Sequence, residues 1–154
     1  PSGANEVTNV TGGPKALLMD NTTLGENRGM AFICSSNKAS ACAVGFPGLI
    51  TQFAATGNAN QEMGTSVSAA DLNGDGKQDF ILGGKGVVYF YSGAAGYPLL
   101  NKFELVPAST NFGFAVVGLP DSNGDGKSEF LIGSPFEHAN GVSRGVARFF
   151  RGSF

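Results

Sequence analysis

Apolar residues in this chain come in short runs, not in helical stripes, and Gly or Pro stands at the ends of most runs. Phe80-Ile81-Leu82-Gly83 and Gly86-Val87-Val88-Tyr89-Phe90-Tyr91 are apolar at successive positions and rich in β-branched and aromatic residues. Such runs predict strands covered on both faces. The best-marked stretch reads as strand 65–70, polar loop 71–79, strand 80–84, strand 87–91 and outer strand 101–106.

The same order recurs. Gly64-Thr65-Ser66-Val67-Ser68-Ala69-Ala70 aligns with Gly113-Phe114-Ala115-Val116-Val117-Gly118-Leu119-Pro120, and each leads into an Asp-x-Asn-Gly-Asp-Gly-Lys loop. Phe80-Ile81-Leu82-Gly83 then matches Phe130-Leu131-Ile132-Gly133, and Gly86–Gly93 matches Gly145–Gly152. A period of roughly 50 residues is that of propeller blades. A degenerate copy lies upstream, with Gly29–Cys34 in place of the first strand, Ala43–Pro47 in place of the second, and no acidic residue between them. The expected organisation is an N-terminal segment at 1–27 with a candidate outer or donated strand, a degenerate unit at 28–62, and two loop-bearing units at 63–109 and 110–154. The fold class expected is all-β, with about three blade-type units, partial or completed by another chain.

Composition agrees with turns and strands. There are 24 glycines, and charged residues are only 14% of the chain. Lys and Arg are scattered with no basic stripe, which argues against nucleic acid as partner. No apolar run approaches the roughly 20 residues of a membrane span. The chain begins at Pro1, and the expectation is a processed or excised piece.

The two polar loops carry the chemistry. Asp71, Asn73 and Asp75, then Asp121, Asn123 and Asp125, offer side-chain oxygens at the first, third and fifth positions. Asp79 and Glu129 add a carboxylate at the ninth, and Lys77 and Lys127 would give a backbone carbonyl at the seventh. Calcium takes roughly six to eight oxygens from such groups. Glycines at 74, 76, 124 and 126 allow the chain to wrap an ion. Plain Asp-Gly turns would explain the glycines but not carboxylates repeated at one, five and nine. The expected cofactor is calcium, two ions. An EF-hand would need a Glu at the twelfth position, where Leu82 and Ile132 stand inside strands.

With these loops, Phe112-Gly113 and Gly133-Ser134-Pro135 resemble the FG-GAP repeat, the blade motif of the integrin α-chain β-propeller. The first element is altered at Met63-Gly64 and Arg28-Gly29; the last is varied at Gly45-Phe46-Pro47 and lost at Gly83-Gly84-Lys85. The resemblance covers about residues 28–152. It implies four-stranded antiparallel blades, with each calcium loop joining the innermost strand to the next. Propellers close with about four to eight blades, more than this chain supplies, so either a longer chain or a second one completes the structure.

The function expected is a calcium-binding extracellular or cell-surface interaction and adhesion module with a protein or glycan ligand. The alternatives are a structural protein that self-associates by strand addition into rings or fibrils, and an accessory domain of a larger enzyme. For self-association, Lys15–Met19 and Glu6–Val10 are the candidate strands. No catalytic constellation accompanies the single histidine, His138. Cys34 and Cys42 flank the junction that calcium would staple in the other units, and a disulfide between them is expected there. Asn9 and Asn21 stand in Asn-x-Thr sequons and are candidate glycosylation sites.

Overall fold

A computed structural model describes residues 8–13, 30–35, 49–54, 60–105, 111–139 and 142–154, all in strands, turns and loops. The first sheet contains β1 (Thr8–Gly13), β2 (Met30–Ser35) and β3 (Leu49–Ala54) in the order β1-β2-β3. The second contains β4 (Ser66–Ala70), β5 (Asp79–Gly83), β6 (Val87–Tyr91) and β7 (Leu99–Glu104), in chain order. In the third, β8 (Ala115–Gly118) pairs with β9 (Phe130–Ser134), and β9 with β12 (Val146–Phe150). The small hairpin β10 (His138–Ala139) and β11 (Val142–Ser143) is inserted before β12. All pairings are antiparallel. The fold is thus all-β, built of blade-like sheets, as the repeats predicted. The strands β1, β4 and β8 lie side by side in sequence, each the first of its sheet.

The middle sheet shows why its sequence is continuously apolar. Phe80, Leu82, Val87 and Tyr89 pack toward Ala31 and Met63, while Ile81, Val88 and Phe90 pack with Phe130 and Ile132 of the third sheet. Alternate residues therefore enter two cores, and every residue of β5 is buried. In the second core, Phe90 lies 4.9 Å from Phe103, 5.0 Å from Phe130 and 4.9 Å from Phe154 between ring centroids. Tyr89 and Phe90 are packing residues here, whereas Phe149 is exposed.

Met63-Gly64 and Phe112-Gly113 do the same structural job. Met63 and Phe112 are both buried. Gly64 N–H donates to the Gly83 carbonyl at 2.9 Å, and Gly113 N–H donates to the Gly133 carbonyl at 3.1 Å. Both glycines have positive φ, 91° and 85°, where a side chain would be strained. The motif needs an apolar plug before the glycine, and Met fills that role as well as Phe.

The first sheet departs from the expected strand positions. Met30–Ser35 is the middle strand of its sheet, with β1 and β3 on either side. The stretch set apart as a candidate donated strand overlaps β1, which is bonded within its own chain from Thr8↔Ser35 to Gly13↔Met30. Thr8–Gly13 holds one apolar residue, Val10, so only its first half was marked, as the end of the candidate strand Glu6–Val10. Asn9 lies in β1 opposite Cys34 in β2. Cys42, Asn21 and Lys15–Met19 lie outside the described residues.

Beside the inserted hairpin, both terminal nitrogens of Arg148 donate to the Glu137 carboxylate. Those bonds hold the Glu137 carboxyl below the usual carboxylate range. A depressed folded pKa contributes stability above the unfolded pKa, and that stability is lost as pH falls through the folded value. Glu137→Gln should therefore cost about 1 kcal/mol near neutral pH, discounted for partial exposure. Urea melts of the two proteins should converge in acid; an equal gap at neutral and acid pH would refute this account of the pair.

Candidate metal-binding loops

The loops at 71–79 and 121–129 join the first strand of a sheet to the second in the middle and third sheets. Each begins where the inner strand ends, with Ala70 paired to Asp79 and Gly118 paired to Phe130. Between those anchors the backbone folds around its first carboxylate. Asp71 Oδ1 accepts from the Gly74 and Asp75 amides at 2.8 and 3.1 Å, and Oδ2 accepts from the Gly76 amide at 2.8 Å. Asp121 Oδ1 accepts from the Asn123 and Gly124 amides at 3.2 and 2.7 Å, and Oδ2 from the Gly126 amide at 2.8 Å.

The inner positions repeat more closely still. Asn73 Oδ1 accepts from the Asp75 amide at 2.9 Å, and Asn123 Oδ1 from the Asp125 amide at 2.9 Å. Asp75 Oδ1 accepts from the Lys77 amide at 2.9 Å, and Asp125 Oδ1 from the Lys127 amide at 2.9 Å. The four glycines have φ between 78° and 85°, so the winding rests on residues without a side chain.

The ninth position differs between the loops. Asp79 is fully buried, its Oδ2 accepting from the Leu72 amide at 3.0 Å and its Oδ1 from the Gly93 amide at 2.9 Å. The longer Glu129, also buried, accepts from the Ser122 amide at 2.8 Å and from the Asn123 side-chain amide. Burial pushes the Asp79 carboxyl up from the usual range; the Gly93, Leu72 and Asn73 amides oppose that rise and the nearby Asp75 charge adds to it. Asp121 is shifted the other way, pulled down chiefly by the Gly126 amide.

The two loops touch. The Asp71 carbonyl accepts from the Ser128 amide at 2.7 Å, and the Ser128 carbonyl accepts from the Gly152 amide at 3.1 Å. A Cβ on Gly74 would lie 3.1 Å from the Gly126 carbonyl oxygen. Each loop sets three carboxylates against one lysine, so negative charge gathers at one end of neighbouring sheets.

These residues fit a hard divalent cation in donor type. Every side chain at the first, third, fifth and ninth positions presents oxygen. A carboxylate has about four lone-pair sites, and the three amide bonds to Asp71 or Asp121 leave it able to accept further. The buried ninth-position carboxylates receive hydrogen bonds but no opposite charge from any bond described above. Among the described residues, no three His, Cys, Asp or Glu side chains form a cluster able to hold a metal ion. The carboxylates at the first, fifth and ninth positions of each loop are thus not drawn together into such a cluster; an Asn stands at the third position and a backbone carbonyl at the seventh. His138, in the inserted hairpin, is exposed to solvent.

Other polar groups at the sheet contacts carry no local signal. Ser66 Oγ donates to the Gly113 carbonyl at 2.8 Å, and Ser68 Oγ accepts from the Gly118 amide at 2.9 Å. Both bonds tie the middle sheet to β8 and the turn that leads into it. Tyr89 donates to Gln61 Oε1 at 2.8 Å in the other core. Their partners lie 28 to 50 residues away, beyond any sequence pattern.

Short antiparallel sheets stacked through their faces, with an oxygen-rich loop after the inner strand of the middle and third sheets, define a blade-repeat architecture of the propeller type. Residues 63–96, from the Met63-Gly64 plug to just past β6, match the FG-GAP repeat, so this segment is one FG-GAP unit. No curated protein matches the chain.

Proposed function

We propose that this protein is a calcium-binding, integrin-like β-propeller module that works outside the cell in adhesion or another recognition role. The observation that carries the reading is the same backbone winding made twice around the first carboxylate, with further carboxylates at positions five and nine of each loop. In the first loop Asp71, Asn73, Asp75, the Lys77 carbonyl and Asp79 would hold one ion. In the second, Asp121, Asn123, Asp125, the Lys127 carbonyl and Glu129 would hold the other.

The ion's contribution is charge. Two adjacent loops with an excess of carboxylates repel each other, and a cation in each removes that cost. It also gives the buried Asp79 and Glu129 an opposite charge. Binding energy is then folding energy, because the unfolded chain has no such site. An extracellular setting supplies calcium at the concentrations that weak loop sites require. The same setting would admit glycans at Asn9 and Asn21 and a protein or glycan ligand. Among the described residues no helix is long and apolar enough to cross a membrane.

Thermal unfolding tests the reading. At calcium about 100-fold above the dissociation constant, each site should add about 2.7 kcal/mol. For a domain of this size, that raises the melting temperature by roughly 2–4 °C per kcal/mol. A melting curve identical in calcium and in excess chelator would contradict it.

A further inference from the structure

We propose that the two acidic loops are coupled sites, in which occupancy of either raises the affinity of the other through the Lys127–Ser128 and Asp71–Leu72 peptide units. This coupling rests on the reading of both loops as calcium sites, and adds an effect of each on the other.

The link starts at the seventh position of the second loop. The Lys127 carbonyl and the Ser128 N–H are the two ends of one planar peptide unit. Ser128 N–H donates to the Asp71 carbonyl at 2.7 Å, across the contact between the loops. That carbonyl shares a peptide unit with the Leu72 N–H, which donates to Asp79 Oδ2 at 3.0 Å. Two rigid groups in series thus lead from a ligand carbonyl of the second loop to the ninth-position carboxylate of the first. Asp71 serves both loops: its carboxylate opens the first, and its carbonyl receives the second. Tilting either peptide unit therefore disturbs both loops at once.

The surroundings hold the link in place. Leu72 and Asp79 are fully buried. A Cβ on Gly152 would fall 2.6 Å from the Leu72 carbonyl oxygen and 2.6 Å from the Ser128 carbonyl oxygen, so the two loop backbones converge on that glycine. Gly74 and Gly126 bring the loops together a second time, with 3.1 Å between an added Gly74 Cβ and the Gly126 carbonyl oxygen. Packed this closely, neither loop has room to shift alone.

The sign of the coupling follows from these bonds. With a cation on the Lys127 carbonyl, electron density moves along its peptide and the Ser128 N–H becomes a stronger donor. The Asp71–Leu72 peptide is then held in the orientation that the first loop uses, and ordering it a second time is not required. Repulsion between two bound cations opposes this, but salt screens it beyond about 8 Å at physiological ionic strength. By linkage the effect is reciprocal, with one factor describing both directions.

Calorimetric titration of the full 154-residue chain with calcium, at physiological ionic strength, reads the coupling. Wild type should bind two ions with a Hill coefficient above one. Asp125→Ala should leave the first loop binding, with a dissociation constant roughly 5- to 150-fold above that of the same loop beside a filled neighbour. Asp75→Ala should weaken the second loop by the same factor. The decisive variant replaces the Lys127–Ser128 amide with an ester, by incorporating the α-hydroxy acid analogue of serine at position 128. It removes the N–H and keeps every ligand side chain. In that chain the effect of Asp125→Ala on the first loop should shrink roughly 5-fold or more. The charge lost with Asp125 is the same in both chains, so its direct effect cancels. An ester at Leu72, which breaks the second bond of the link, should act alike, and circular dichroism checks that both ester chains are folded. Two ions bound independently, a second ion bound more weakly than the first, or coupling unchanged by both esters would overturn the proposal and leave the calcium reading standing. No bound calcium would overturn both.

Discussion

Phe90→Ala should destabilise the protein by about 3–5 kcal/mol, while Phe149→Ala at the equivalent position of the next sheet should cost far less. The two side chains occupy matching strand positions but differ in what covers them. Phe90 is fully buried against Phe103, Phe130 and Phe154, and its removal leaves a cavity that neighbouring rings from two strands and the C-terminal segment cannot all close. Phe149 is more than half exposed, so truncation of the monomer removes little buried area. Total stability for a domain is about 5–15 kcal/mol, and the first substitution consumes a large part of it. Chemical denaturation of the two variants checks both. Similar losses at the two positions would mean that the sheets do not stack as described.

A second large effect is expected at a glycine pair. A Cβ on Gly83 would fall 2.2 Å from the Gly113 carbonyl oxygen and 2.2 Å from Ser66 Oγ. Backbone cannot yield as a side chain can, so Gly83→Ala should cost about 3 kcal/mol or more. At Gly133, the same place in the third sheet, the nearest atom to an added Cβ is Ala115 Cβ at 3.5 Å, an ordinary contact. Gly133→Ala should stay within about 0.5 kcal/mol of wild type in the monomer. The glycine matters where one sheet presses on the next, not because the motif spells glycine. Equal tolerance at both positions in denaturant melts would show that the middle and third sheets are not in close contact.

Much of the fold was legible because local chemistry and tertiary role coincide in the middle unit. Val87–Tyr91 was predicted as a strand and is β6, and the continuous apolar run of β5 announced burial on two faces. The loops were legible for the same reason, since oxygen-bearing side chains and glycines sit at fixed short offsets. The first sheet was not. Thr8–Gly13 is polar and glycine-rich, and it becomes a strand by bonding along β2. The sheet-to-sheet anchors at Ser66 and Ser68 were equally silent, because each serves a backbone group about 50 residues on. The sequence marked Met63-Gly64 as an altered motif, yet burial and the Gly64–Gly83 bond show an intact role. Exposure at Phe149 was invisible too, because the sequence shows a repeat without showing where the stack of sheets leaves a face open.

The central claim is that each acidic loop holds one calcium ion, and a binding titration by calorimetry measures it most directly. Wild type should bind two ions per chain. Asp75→Ala and Asp125→Ala, each removing one carboxylate from an exposed loop position, should each leave one ion bound and a folded protein. The double variant should bind none. No binding at millimolar calcium, the extracellular range for such modules, or a stoichiometry unchanged by both substitutions, would contradict the account.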